Sequence, residues 1–521
     1  MKRLLPVALA GLLLASGPWY GAEARVGSCA SNTTDVDGGG PDVVLGLPSY
    51  DLAGKPDAGA LVVFSDVAAP GSDDPRNPVR RTLLTMDDIP GLTAQAGARF
   101  GAAVLLAPDY ILGDDGDYCS ELVVGAPGQT VDGRQGAGQV FRLRGSTSGA
   151  IRLSATWDEA SLSGLGGAQA GAAFGSSLAG VNGGNVVVGA PGRDVDGVVD
   201  AGWVVSASLD GSRVAGRTTQ TGSGDGAAEA GDRFGEVLRI LPTCVGSFLV
   251  VGVPHEDVGP RSDAGAVVLV GPAGTQSLTH QSTPGAGDAA EVGDRYGAAL
   301  DAYFTGTGST RRGLVAIGVP GEDVGTAADA GTVSFASFPA PPQAVFSGLV
   351  GLPATLDQAS PGVAGSVAAG DAYGTAVATG GFGPGPSLDL VTSSPREDVG
   401  TVGDAGLADT ISLRDDGSAD PGRPGAPWTQ DSPGVPDRAE AGDLFGSDVA
   451  AVGLPQATDA NLVVVTVPGE DVASVPDAGV AHLGAPPGDR SVLLVMPVYQ
   501  VGAGLGMTVA RVMPDSVFCG A

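Results

Sequence analysis

Three short signals recur in fixed order along this chain, and their spacing constrains the fold more than any other feature. The first is an aromatic residue followed by glycine: Phe100-Gly101, Phe174-Gly175, Phe234-Gly235, Tyr296-Gly297, Tyr373-Gly374 and Phe445-Gly446, with a weaker copy at Leu505-Gly506. The second is an apolar run ending in two small residues and proline. It closes at Pro48, Pro127, Pro191, Pro254 and Pro320, with degenerate copies at Ser393-Ser394-Pro395 and Thr466-Val467-Pro468. The third is Asp-Ala-Gly, beginning at Asp57, Asp200, Asp263, Asp329, Asp404 and Asp477; the second repeat has Gly136-Ala137-Gly138 instead.

The period is about 68 residues, too long for the ~40–50-residue repeats of other propeller classes. Runs before the proline, such as Leu122-Val123-Val124 and Leu249-Val250-Val251, are apolar without alternation. That is the pattern of a strand buried on both faces. Proline has no N–H and ends the pairing. A second run follows Asp-Ala-Gly, a weaker one such as Thr82-Leu83-Leu84 comes next, and the segment at the aromatic-Gly pair supplies a fourth. Four strands make a propeller blade. The fold expected is therefore all-β, a seven-bladed β-propeller of four-stranded blades. The chain starts on a proline-ended strand and finishes on an aromatic-Gly-type strand, about 501–512. One blade should thus be closed by strands from both termini, which leaves no open sheet edge. The 87 glycines and 38 prolines lack a Gly-x-x period and suit many tight turns.

Residues 1–24 are expected to be a signal peptide. Lys2 and Arg3 precede an apolar run from Leu4 to Leu14, and Ala22-Glu23-Ala24 is a small-x-small cleavage site. Residues 25–521 would then be the propeller, exported and without a membrane span. Four cysteines follow the cleavage site. In an oxidising compartment they are expected to pair. If both termini share a blade, Cys29 and Cys519 flank the same connection and should bond; Cys29 with Cys119 is the rival pairing.

The ordered signals resemble the FG-GAP repeat family, the seven-bladed propeller of integrin alpha subunits and bacterial secreted relatives. The resemblance covers essentially the whole mature chain. It implies a secreted or surface binding module, often with calcium in an Asp-rich loop after the first strand. In this chain that loop reads Asp35-Val36-Asp37-Gly38-Gly39-Gly40-Pro41-Asp42, with Gly39 where the third acid belongs and one residue too few. Asp35, Asp37 and Asp42 are the first candidate calcium ligands. Asp114, Asp115, Asp117 and Glu121 are the second set, acidic but out of register. A solvated acidic loop is the alternative at each. Calcium is expected at one or two sites, not seven.

A further acidic pattern places Asp51, Asp194, Asp257, Asp323, Asp398 and Asp471 three residues after the proline and six before the Asp of Asp-Ala-Gly. The second repeat lacks both acids together. Turn capping explains this; a shared cation site is the sharper alternative. Glu256, Glu322, Glu397 and Glu470, and the acids Asp232, Asp294, Asp371 and Asp443, are expected to face solvent.

A net charge of −31 argues against a nucleic-acid partner and favours cations and basic partners. The three histidines occupy unrelated repeat positions, and neither a nucleophile elbow nor a sialidase-type Asp box is present. The expectation is a non-enzymatic, calcium-assisted binding or adhesion propeller whose partner is an extracellular protein or carbohydrate. The alternative is an extracellular hydrolase or lyase using acids on one face.

Overall fold

A computed structural model describes residues 34–512 apart from internal stretches, the longest being 68–78, 108–118, 340–349 and 453–461. Seven antiparallel sheets follow one another around a ring. Blades 2 to 7 begin on inner strands Ala103–Ala107, Ser177–Val181, Val237–Thr243, Ala299–Thr305, Val377–Gly380 and Val449–Val452, each followed outward by three consecutive strands. Neighbouring inner strands pack against each other around the axis.

Blade 1 is the composite one. Its outer three strands, Val43–Leu47, Ala60–Ser65 and Arg80–Leu84, come from the N-terminal part of the chain. Its inner strand is Thr508–Val509, which pairs with Val43–Leu47 through Leu45↔Val509 and Gly46↔Thr508. The tail then runs on, and Arg511–Val512 pairs in parallel with Ala103–Ala107 of blade 2. The C-terminal segment therefore ties two blades. Among the described residues the helical content is one 3-10 turn, Met86–Asp88, and no helix is long and apolar enough to cross a membrane.

The three sequence signals meet at the six seams whose aromatic residue is described. The N–H of Phe174 donates to the carbonyl of Ala137 in blade 2, and the N–H of Gly175 donates to Gly189 in blade 3. The same bonds recur at Phe100, Tyr296, Tyr373 and Phe445 and their following glycines. All six described aromatics are at most 1 % exposed. Two glycines are dictated by backbone contact. A Cβ on Gly125 would lie 1.9 Å from the carbonyl oxygen of Gly175, and one on Gly138 2.2 Å from that of Phe174. No side chain fits there. The proline-ended strands are sealed on both faces, as in Leu462–Val467, where every residue is buried.

The paired acids of the Asp-Ala-Gly loop cap the turn. The N–H of Asp263 donates to Asp257 Oδ1 at 3.0 Å, and the other five loops repeat this at 2.8–3.0 Å. Asp57, Asp200, Asp263, Asp329, Asp404 and Asp477 all have φ between 48° and 52°. Asp tolerates this left-handed region better than most side chains. In blade 2 the same place has φ 64° and is filled by Gly136, which removes the steric need for an Asp and the cap with it.

Candidate functional site

The loop leading into Val43–Leu47 folds its three acids together. Ligand oxygens of Asp35, Asp37 and Asp42 all lie within 4.8 Å of one another, and the residues are 1 %, 6 % and 0 % exposed. Asp42 Oδ2 accepts the N–H of Val36 at 2.7 Å, and the N–H of Asp42 donates to Thr34 Oγ1 at 3.2 Å. Asp37 Oδ2 accepts from Ser65 Oγ at 2.9 Å and Arg80 Nη2 at 2.8 Å. Asp37 Oδ1 is buried without a partner. Three convergent carboxylates with an orphaned oxygen fit a hard cation such as calcium, which takes oxygen ligands.

The second candidate set does not come together in the same way. Asp114, Asp115 and Asp117 lie outside the described residues. Glu121 is fully buried and committed elsewhere. Its carboxylate takes both Nε and Nη2 of Arg142, and Arg144 Nε at 2.8 Å. Arg144 sits directly opposite Glu121 in the strand pairing, so cross-strand register explains the pair. An arginine–carboxylate fork of this kind leaves little for a metal.

Cys119 is disulfide-bonded. Cys29, Cys244 and Cys519 lie outside the described residues, and with them the expected Cys29–Cys519 bond. The N–H of Ser120 donates to the carbonyl of Asp35 at 2.7 Å. Cys119 therefore lies next to the loop that holds Asp35.

The acids expected to face solvent are buried. Glu256, Glu322, Glu397 and Glu470 are at most 9 % exposed, and Asp232, Asp294, Asp371 and Asp443 at most 3 %. Each glutamate accepts a hydrogen bond from a glutamine at the end of the preceding blade. Gln220, Gln358 and Gln430 donate to Glu256, Glu397 and Glu470 at 2.6 Å, and Gln281 donates to Glu322. Each aspartate accepts a backbone N–H three residues earlier, as Asp371 does from Ala368 at 2.7 Å. The local sequence is hydrophilic; the end of the preceding blade is what covers it. Burial raises these carboxyls, with neighbouring acids adding to the effect: Asp232 and Asp294 to about 6, Asp443 and Glu397 to about 7, Glu470 to about 8 and Glu322 to about 9.

A second charged group lies on the axis. Inner strands from blades 2 to 7 and the C-terminal tail line an open cavity of about 220 Å³. Its walls are mostly Ala, Leu, Ile and Gly, interrupted by Arg239, Asp301, Thr379 and Arg511. Arg239 Nε lies 3.5 Å from Asp301, whose Oδ2 also accepts the N–H and hydroxyl of Thr379. Arg511 Nη2 meets Asp448 at 2.6 Å and its Nη1 donates to the carbonyl of Val449. Burial lowers Arg239 to about 10, and the positive charge of Arg511 adds to the shift. The sequence signal was present: Arg239 and Asp301 are charged residues within otherwise apolar inner strands.

No family model and no curated protein matches this sequence, so the FG-GAP resemblance stands on the quoted repeats alone. Among solved structures the chain is similar to a periplasmic gluconolactonase of Pseudomonas aeruginosa, at 12 % identity over 90 % of this chain and 99 % of that one, with a TM-score of 0.43. It is also similar to a mutant of AofleA from Arthrobotrys oligospora, at 8 % identity over 80 % and 90 % of the two chains, with a TM-score of 0.35. The expectation of a non-enzyme is corrected at this point, because one of these neighbours is an enzyme. At such identities and TM-scores no activity and no ligand passes from either neighbour to this chain. What stands is the seven-bladed propeller of the chain itself.

Proposed function

We propose that the mature chain is an exported binding propeller whose first loop takes calcium. The observation that carries this reading is the convergence of Asp35, Asp37 and Asp42, buried together and with Asp37 Oδ1 unpartnered. The loop leads into Val43–Leu47, the strand on which the closing strand Thr508–Val509 pairs, and accepts a bond from Ser120 of blade 2. Calcium there would brace the place where the ring is closed. The residues of this chain hold the ion and orient the loop; Arg80 holds Asp37 from the other side. The partner is an extracellular protein or carbohydrate, and the net charge of −31 favours one with basic character.

The test is recovery of a partner by the mature protein from its native extracellular milieu, with and without a chelator, beside an Asp35→Asn/Asp37→Asn variant. Capture that falls both with the chelator and with the variant supports the reading. Capture unchanged by both sinks the calcium part. A second reading, a hydrolase or lyase acting at the axis, is favoured by the Arg239–Asp301 and Arg511–Asp448 pairs around a concave cavity. Hydrolysis of an extracellular substrate that is lost in Asp301→Asn would support it.

A further inference from the structure

The buried acids of the seams do not occur singly. Glutamate stands two residues after the proline at Glu256, Glu322, Glu397 and Glu470, and in those same repeats aspartate stands two residues before the aromatic-Gly glycine's aromatic partner, at Asp232, Asp294, Asp371 and Asp443. Those repeats are also the ones preceded by Gln220, Gln281, Gln358 and Gln430. In the other three repeats all members change together. The glutamate place holds Tyr50, Gln129 and Arg193, and the aspartate place holds Ala503, Ala98 and Ala172. The glutamine place holds Met86 before the second repeat and Glu159 before the third. A glutamine that merely clamped the next blade through a glutamate would not need the aspartate. Its joint presence and absence indicates a task shared by all three.

The geometry identifies what the task lacks. Gln220, Gln281, Gln358 and Gln430 are 6 %, 1 %, 4 % and 1 % exposed, and each has its amide head against the glutamate, yet every one of the four Oε1 atoms is buried without a partner. Glu397 and Asp371 stand within hydrogen-bond reach of each other, as do Glu322 and Asp288. Glu470 faces Asp437 and Asp443. Seams 4/5, 5/6 and 6/7 thus gather carboxyl and amide oxygens in excess of their donors, and seam 3/4 carries the same three residue types, with Gln220 on Glu256 and Asp232 buried beside Asp257. Like charges and an orphaned amide oxygen in a low-dielectric pocket repel one another unless something positive lies among them. Arg233, His255, Arg295 and Arg396 are the basic residues adjacent in sequence to seam acids; the three arginines are exposed, Arg233 lies 3.1 Å from Glu236, and His255 is engaged with Asp263 at 2.8 Å.

We propose that the four seams between blades 3/4, 4/5, 5/6 and 6/7 are binding sites for a hard divalent cation of the calcium type, each built from the glutamine Oε1, the seam glutamate and the seam aspartate. The donor set is all oxygen, which suits Ca²⁺ over a softer transition metal. Burial raises the seam carboxyls, so binding near neutral pH releases protons from them. The cation then joins the end of one blade to the loop of the next. Seams 1/2, 2/3 and 7/1 have no such site, and seam 2/3 replaces it with the Arg193–Glu159 ion pair at 3.1 Å.

Calorimetric titration of chelator-stripped mature protein with CaCl2 near neutral pH and physiological ionic strength tests this. Three proteins are compared: the unsubstituted chain, Asp35→Asn/Asp37→Asn, and Glu256→Gln/Glu322→Gln/Glu397→Gln/Glu470→Gln. The expected result is that the double variant loses one bound equivalent and the quadruple variant loses four. The seam sites should also release protons, seen as a heat that changes with the ionisation enthalpy of the buffer. Should the quadruple variant fail to fold, Glu397→Gln and Asp371→Asn alone should each remove one equivalent. Stoichiometry unchanged by the seam substitutions overturns the proposal and means that water fills the seams. Loss of the loop equivalent alone, with the seam sites intact, counts only against the calcium reading of Asp35, Asp37 and Asp42.

Discussion

Seams 6/7 and 2/3 perform the same mechanical task with opposite chemistry. In seam 6/7, Gln430 reaches Glu470 at 2.6 Å beside buried Asp443. In seam 2/3 the corresponding residues are Glu159, Arg193 and Ala172. Glu159 there accepts from Arg193 at 3.1 Å and from Trp203 Nε1 at 2.8 Å, and Arg193 lies over the Trp203 ring at 4.6 Å. Seam 2/3 sets a positive charge against a negative one and, of these side chains, leaves only Arg193 Nε without a partner. Seam 6/7 is all acceptor and amide, and leaves Gln430 Oε1 orphaned. A seam needs a polar link across it, and either an ion pair or an acid–amide–acid group supplies one. Only the second leaves room for an exchangeable partner.

The largest expected effect is on seam 7/1, which depends on the closing strand. Deleting residues 507–521 removes Thr508–Val509 from blade 1 and the Arg511–Asp448 pair from blade 7. The cost should exceed the ~4–5 kcal/mol that marks exceptional single substitutions. Thermal melting and limited proteolysis will check this; a deletion that melts like the full chain would show that the seam holds without its latch.

Next comes the difference between the two chemistries. Glu159→Ala leaves the half-buried Arg193 without its carboxylate and Trp203 Nε1 without an acceptor, at about 3 kcal/mol. Gln430→Met, which copies the residue at Met86, removes a single uncharged donor and should cost about 1 kcal/mol in calcium-free buffer. Denaturant unfolding measures both. Equal costs would dissolve the contrast.

The third prediction separates the seams by pH. Carboxyls titrate near ~4 in the unfolded chain. In the folded chain burial holds Glu397 and Asp443 at about 7, Glu470 at about 8 and Glu322 at about 9. Folding therefore takes up protons above the unfolded values. The stability linked to these groups is complete below their unfolded values and falls as pH rises from there through the folded ones. In chelator, the unfolding midpoint should drop steadily from weakly acidic to weakly alkaline pH. The quadruple glutamate-to-glutamine variant should show a flatter profile over the same range. A parallel decline in both would place the titration outside the four acid seams.

The smallest effect concerns the exposed turns that every blade shares. Asp263→Gly copies Gly136, which occupies the same left-handed position in blade 2. It relieves backbone strain and leaves Asp257 Oδ1 capping the same N–H, so the net change should stay within about 0.5 kcal/mol. A larger loss would mean that the Asp263 side chain, through His255 at 2.8 Å, carries weight beyond its turn.

Much of the frame was legible because it is written in local patterns that repeat. Runs such as Leu122-Val123-Val124 must be buried on both faces wherever they sit, and a Gly next to an aromatic must meet another backbone. The start and end of the repeat series even indicate the composite blade, since Thr508–Val509 supplies the strand that Val43–Leu47 lacks. The convergence of Asp35, Asp37 and Asp42 was likewise suggested by spacing within a single loop. What only the tertiary structure decided were contacts made across strands and blades. Glu121 reads as one more acid in an acidic loop until strand pairing sets Arg144 opposite it. Glu322 and Glu470 sit among Gly, Asp and Pro and read as solvated, yet glutamines about 40 residues earlier in the chain close over them. Arg239 and Asp301 belong to different repeats and meet only because the ring turns their strands toward a common axis. Burial of a polar side chain is a property of what arrives from elsewhere in the chain, and hydrophilic sequence alone carries no record of that arrival.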